Sequence, residues 1–192
     1  MPYNGDLTSA DTANSTSLPY VPTKRSDASR RPPLRTKAST RGSFVNDLTN
    51  QEVVVESQIE RGLGTILLAQ RDVNRIEDQP TAVRYKGDDG VVREHTFDFR
   101  AWYLSGKIVA FAAKASGQVA RSGIRRTLSL ICEQSLKGFA HEVVLVTQNQ
   151  ITDGRVWSAS QVVRSRKMRN DEHCEHLRGF AAQFRGRSAW LI

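Results

Sequence analysis

The run VVREHTFDFRAWYLSGKIVAFAAK, residues 91–114, constrains the fold more than any other part of the chain. Its first half alternates and is rich in β-branched and aromatic side chains. After Ser105 and Gly106, a second run, KIVAFAA, does the same. Two such runs around a short glycine-containing loop predict an antiparallel hairpin. Alternation puts Asp98 on the face opposite Phe97 and Phe99. It also groups Ala110, Ala112 and Lys114 on one face, opposite Val109, Phe111 and Ala113. A carboxylate between aromatics on a half-buried strand needs a partner or a metal, because a lone charge out of water is costly. Hairpin geometry can bring Asp98 and Lys114 to one end of a sheet.

Helices and strands are predicted on both sides of this hairpin. Within SFVNDLTNQEVVVESQIERGLGTILLAQRDV, the residues Val55, Ile59, Leu63, Ile66 and Leu67 recur at three- and four-residue steps. That period predicts an amphipathic helix of about four turns. Glu56 and Glu60 then share a helical face, where pairing with Arg61 or Arg75 would make them an ordinary solvated edge. RIEDQP breaks the period, TAVRY reads as a short strand, and KGDDG reads as its turn. A helix is predicted over about residues 118–138, with Ile124, Leu128, Ile131 and Cys132 on its apolar side. EVVLVT, residues 142–147, has the apolar character of a buried strand in a parallel pair, and DEHCEHLRGFAAQF reads as a last helix. The expected class is a small α/β domain with a mixed sheet.

Composition adds a charge pattern. The net charge is +8: residues 1–42 carry seven Lys/Arg against three Asp, residues 161–192 seven against three acids, and the middle balances. Basic ends either hold phosphate backbones through counterion release or keep the chain soluble. Residues 1–42 also hold five of the six prolines and no helical or strand period, so a disordered basic arm is expected there. No apolar run approaches a membrane span and the first thirty residues lack the apolar block of an export signal, so a cytoplasmic location away from membranes is expected. Cys132 and Cys174 read as free thiols. His173, Cys174 and His176 invite a zinc reading, but a structural site needs four ligands and no second cluster supplies them, so a solvated helix face is expected. Arg121, Arg125 and Arg126 either meet DNA phosphates or form an exposed face.

In order and spacing, ESQIER, EDQP, HTFDF, SGKIVAFAAK and EVVLVT resemble the TnsA-type transposon endonucleases of the PD-(D/E)xK superfamily, and also phage head-completion nucleases of that superfamily. The resemblance spans about residues 43–152. It implies a restriction-endonuclease-like nuclease domain there, with the arm 1–42 before it and a basic helical extension, 153–192, after it. It implies Mg²⁺-dependent cleavage of double-stranded DNA, with Mn²⁺ as a substitute, beside a DDE transposase and an AAA+ regulator. Carried over by position, Glu60 is the helix acid and Asp98 the principal metal ligand. Lys114 orients the attacking water or stabilises the developing charge, and Gln79 supports the site. No winged-helix module of the larger relatives is discernible.

One position departs from that pattern. The family's second ligand stands two residues before the lysine, where this chain has Ala112. A methyl group cannot ligate a cation. Three readings follow: Mg²⁺ held by Asp98, Glu60, water and substrate; a migrated carboxylate, with Glu133 as candidate; or a disabled site that leaves a DNA-binding or assembly subunit.

Overall fold

The computed structural model describes residues 21–29 and 42–184. Its centre is a mixed four-stranded sheet. Two of the strands, β6 (Phe99–Tyr103) and β7 (Ile108–Ala113), form the expected antiparallel hairpin, closed by a turn in which Gly106 has φ +83°. Outside β6 lies β3 (Val73–Asp78), antiparallel to it, and outside β7 lies β8 (Glu142–Val146), parallel to it, so the order is β3-β6-β7-β8. The parallel pairing of EVVLVT agrees with its near-continuous apolar sequence. The β3 strand contradicts the reading of RIEDQP as a mere break, because Ile76 and Asp78 turn inward from it while Arg75 stays outside.

Helices cover both faces. Residues Gln58–Ala69 form the helix α1, which buries Leu63, Leu67 and Leu68 with Phe99, Ala101, Val109 and Phe111. On the other face Phe97, Ala110 and Ala112 pack with Ile124, Leu128 and Ile131 of α3 (Ile124–Gln134). The single helix expected over 118–138 is two, since α2 (Ser116–Ser122) ends at Gly123, whose left-handed φ of +63° also opens α3. Glycine reaches that conformation without steric cost, and this is what allows the break.

Two further differences have local causes. The helix does not reach Val55: Gly42–Asn46 (β1) and Gln51–Val55 (β2) form a separate hairpin. The triplet Val53–Val55 satisfies helical and strand periods alike, and β-branched residues favour the strand. Likewise, VVREHTFDFRAWY is two strands, because the chain bends at 96–98. Val92–His95 (β5) pairs with Val83–Lys86 (β4), the strand expected in TAVRY. The bend breaks the alternation, so Phe97 faces the α3 cluster while Phe99 faces α1. The two phenylalanines do not share the face assigned to them from sequence.

After β8, α4 (Asp153–Lys167) packs against α1. Ala159 is buried, and the Arg166 guanidinium donates to the Leu68 carbonyl and, at 3.0 Å, to that of Ala69. The first helix of the basic extension thus shares the domain's core. The last helix, α5 (Asp171–Ala182), buries none of its residues. Among the described residues no helix is long and apolar enough to cross a membrane.

The expectation of a featureless arm fails for residues 21–29. Lys24 bridges to Gln51, and the Ser26 hydroxyl donates to Asp78 Oδ2 at 2.7 Å. Ser29 donates from its N–H to the Gln79 carbonyl at 3.0 Å, and from its hydroxyl to the Gln79 and Pro80 carbonyls at 2.8 and 3.0 Å. These bonds join residues far apart in sequence, which leaves no periodic trace. Residues 1–20 and 30–41 of the expected arm lie outside the described residues. Deleting residues 1–29 should leave Asp78 and the Gln79 carbonyl short of partners, at about 1–3 kcal/mol in total. Thermal unfolding should register a melting temperature lower by roughly 3–10 °C; an unchanged value would mean that the segment is not docked in solution.

Candidate active site

The end of the sheet where β6 begins and β7 ends gathers the acids. Asp98 sits on the bend before β6. Its N–H donates to the Phe111 carbonyl at 3.0 Å, and its Oδ2 accepts from the Ala113 N–H at 2.6 Å. Burial pushes the Asp98 carboxyl up to about 7, the negative charges of Glu60 and Glu56 add to this, and Lys114 opposes it. Asp98 thus lies within electrostatic reach of Glu60, Lys114 and Glu56.

Glu60 reaches the site through a helix cap. Ser57 caps α1 and accepts from the Glu60 N–H at 3.2 Å; the Ser57 hydroxyl donates to Glu60 Oε1 at 2.7 Å, and the Glu56 N–H donates to Oε2 at 2.7 Å. This resembles the capping box, with the Glu60 carboxylate taking the Ser57 hydroxyl and the N–H of Glu56, one residue before the cap. Glu60 is buried and does not stand on a solvated edge; Arg61 reaches toward Ser43, and Arg75 stacks on Trp102.

Gln79 ties these parts together. It is buried at 3% exposure, and its φ of 41° is left-handed, a strained conformation for a residue with a side chain. Its N–H donates to the Asp98 carbonyl at 3.0 Å, its carbonyl accepts from Ser29, and its side-chain amide donates to Glu56 Oε1 at 3.2 Å. Glu56, assigned from sequence to surface pairing, is part of the acid group. His95 is a second residue that sequence reasoning passed over. It lines a cavity of about 250 Å³ with Gln79, Glu94, Thr96, Phe97 and Asp98, and burial together with Lys114 lowers its pKa.

The other candidates separate from this group. Ala112, 2% exposed, packs into the α3 cluster. Glu133 is exposed on α3, accepts from the Ser129 hydroxyl at 2.9 Å, and is not among the charges acting on Asp98. Arg121 and Arg125 are exposed on α2 and α3, where Arg121 donates to the Gly117 carbonyl, and Arg126 is paired with Asp88. His173, Cys174 and His176 form no metal site: among the described residues no three His, Cys, Asp or Glu side chains are placed to hold an ion.

That finding limits any cation at Asp98 as well. Two carboxylates and an alanine do not make a dehydrated cage. Asp98 and Glu60 could at most help to hold a hard cation that keeps most of its waters, as Mg²⁺ readily does. No family model matches the chain, and no curated protein matches it either. The resemblance to transposon endonucleases accordingly rests on the quoted motifs.

Proposed function

We propose that this chain is a DNA endonuclease with a restriction-endonuclease-like domain, similar to the TnsA-type subunits, which hydrolyses phosphodiester bonds with Mg²⁺ beside a DDE transposase and an AAA+ regulator. The observation that carries this reading is the group at the sheet end, where Asp98 is held to about 7 by burial and by Glu60, with Lys114 alongside. Structural acids are normally placed where their charge is satisfied, whereas a carboxylate pressed against other acids suits a site that awaits a cation or a proton transfer. Mg²⁺ bound at Asp98 would neutralise charge on the phosphate during attack. Lys114 would hold a phosphate oxygen, Glu60 would orient water, and the basic ends of the chain would supply sequence-independent affinity for the duplex.

Ala112 favours a second reading, a non-catalytic DNA-binding or assembly subunit that keeps the nuclease fold, because its methyl lies in apolar packing where the family has a ligand. Nicking of supercoiled plasmid and of transposon-end DNA, in Mg²⁺ and in Mn²⁺ with active transposase present, separates the two. Nicks made by the wild type and lost in Lys114→Met support the nuclease. Retained DNA binding with no nick in either metal would replace that reading with the binding subunit.

A further inference from the structure

The cavity beside Asp98 is lined by Gln79 and His95, whose buried Oε1 and Nε2 atoms find no hydrogen-bond partner among the described residues. Each such atom costs about 1–3 kcal/mol, so two on one small polar cavity call for an occupant. The Gln79 side chain is not placed to turn away. The Gln79 amide nitrogen is engaged by Glu56, which leaves Oε1 as an acceptor, and the backbone on either side is held by Ser29 and Asp98. The His95 ring meets Phe97 edge-on, with centroids 4.8 Å apart.

An occupant must offer Gln79 Oε1 a hydrogen. A phosphodiester oxygen has none to give, whereas water has two. We propose that this cavity binds the water that attacks the phosphodiester, held between Gln79 Oε1 and His95 Nε2, and that His95 takes its proton. The inference rests on the nuclease reading above and assigns the base within it. Ala112 supplies the chemical need, since a site short of a carboxylate ligand gives a cation less purchase with which to acidify water, and a base has to make up the difference. Burial first, and Lys114 second, lower the His95 pKa, which disfavours the charged imidazolium and favours a ring that can accept a proton. In the step, the water proton passes to His95 Nε2 as the water oxygen bonds to phosphorus. The bond from phosphorus to the leaving oxygen breaks, and that oxygen takes a proton from solvent.

Two measurements on the full chain test this. Nitrogen-resolved NMR of the His95 ring near neutral pH should show a neutral imidazole with its proton on Nδ1 and with Nε2 accepting; a proton on Nε2 would overturn the proposal. In single-turnover nicking, His95→Gln should be slower by about 10²–10⁴-fold with unchanged DNA affinity, and His95→Ala should be accelerated by added imidazole. A wild type that nicks while His95→Gln keeps pace removes the base role alone. A wild type that nicks nothing removes the nuclease reading, and the base role with it.

Discussion

Asp98→Asn is expected to stabilise the protein above neutral pH while abolishing the proposed cleavage of DNA. The Asp98 carboxyl has an ordinary pKa of 3.8 and is raised to about 7 in the fold, by burial first and by Glu60 second. Below pH ~4 the proton is bound in both the folded and unfolded chain. As pH rises from there toward about 7, the unfolded chain releases the proton while the folded chain retains it, so stability falls across that window and stays lower above it. A shift of this size corresponds to about 4 kcal/mol at the limit, and about 2 kcal/mol is the expected effect for a side chain that water partly reaches. Asparagine keeps an oxygen for the Ala113 N–H and carries no charge. Denaturant unfolding should therefore find the variant about 2 kcal/mol more stable than the wild type near pH 8, with no difference near pH 4. Mg²⁺ should raise the melting temperature of the wild type near pH 8 and leave the variant unmoved. Equal stability of the two proteins at both pH values would mean that Asp98 is not strained by its neighbours. Asp78, also raised by burial, adds a slope of the same sign that both proteins share.

Much of this site was legible because its residues stand at element ends with characteristic neighbours. Asp98 precedes a strand, Lys114 follows one, and Glu60 opens a helix, and the β6–β7 hairpin fixes the first two at one end of the sheet. The illegible parts depend on contacts between residues far apart in sequence. His95 and Asp98 belong to one alternating run, and only the bend at 96–98 decides that the cavity opens between them. Glu56 reads as a surface residue until Gln79, twenty-three positions later, is seen to bond it. The Val53–Val55 triplet fits two periods, and its pairing with β1 chooses between them.

Ala112→Glu, the substitution that would restore the family's ligand, is expected to unfold the domain more readily than it repairs the site. Position 112 is on the face of β7 that packs with Ile124, Leu128 and Ile131, whereas Glu60 approaches from α1 on the opposite face. Glutamate there adds a methylene and a carboxylate to close apolar packing, with no cationic side chain among the residues of that cluster. Overpacking costs about 1–3 kcal/mol and an unpaired buried charge several more, so a loss of roughly 3–5 kcal/mol is expected, or about 6–20 °C in melting temperature. Ala112→Gln, with the same volume and no charge, should lose less, and the difference between the two isolates the charge. If Ala112→Glu instead melts with the wild type and binds Mg²⁺ more tightly in calorimetry, position 112 opens toward Asp98 and the alanine is simply a missing ligand. The expected loss would mean instead that the strand has turned this position into core, and the proposed water activation would then fall to another group, such as His95, which lines the same cavity as Asp98.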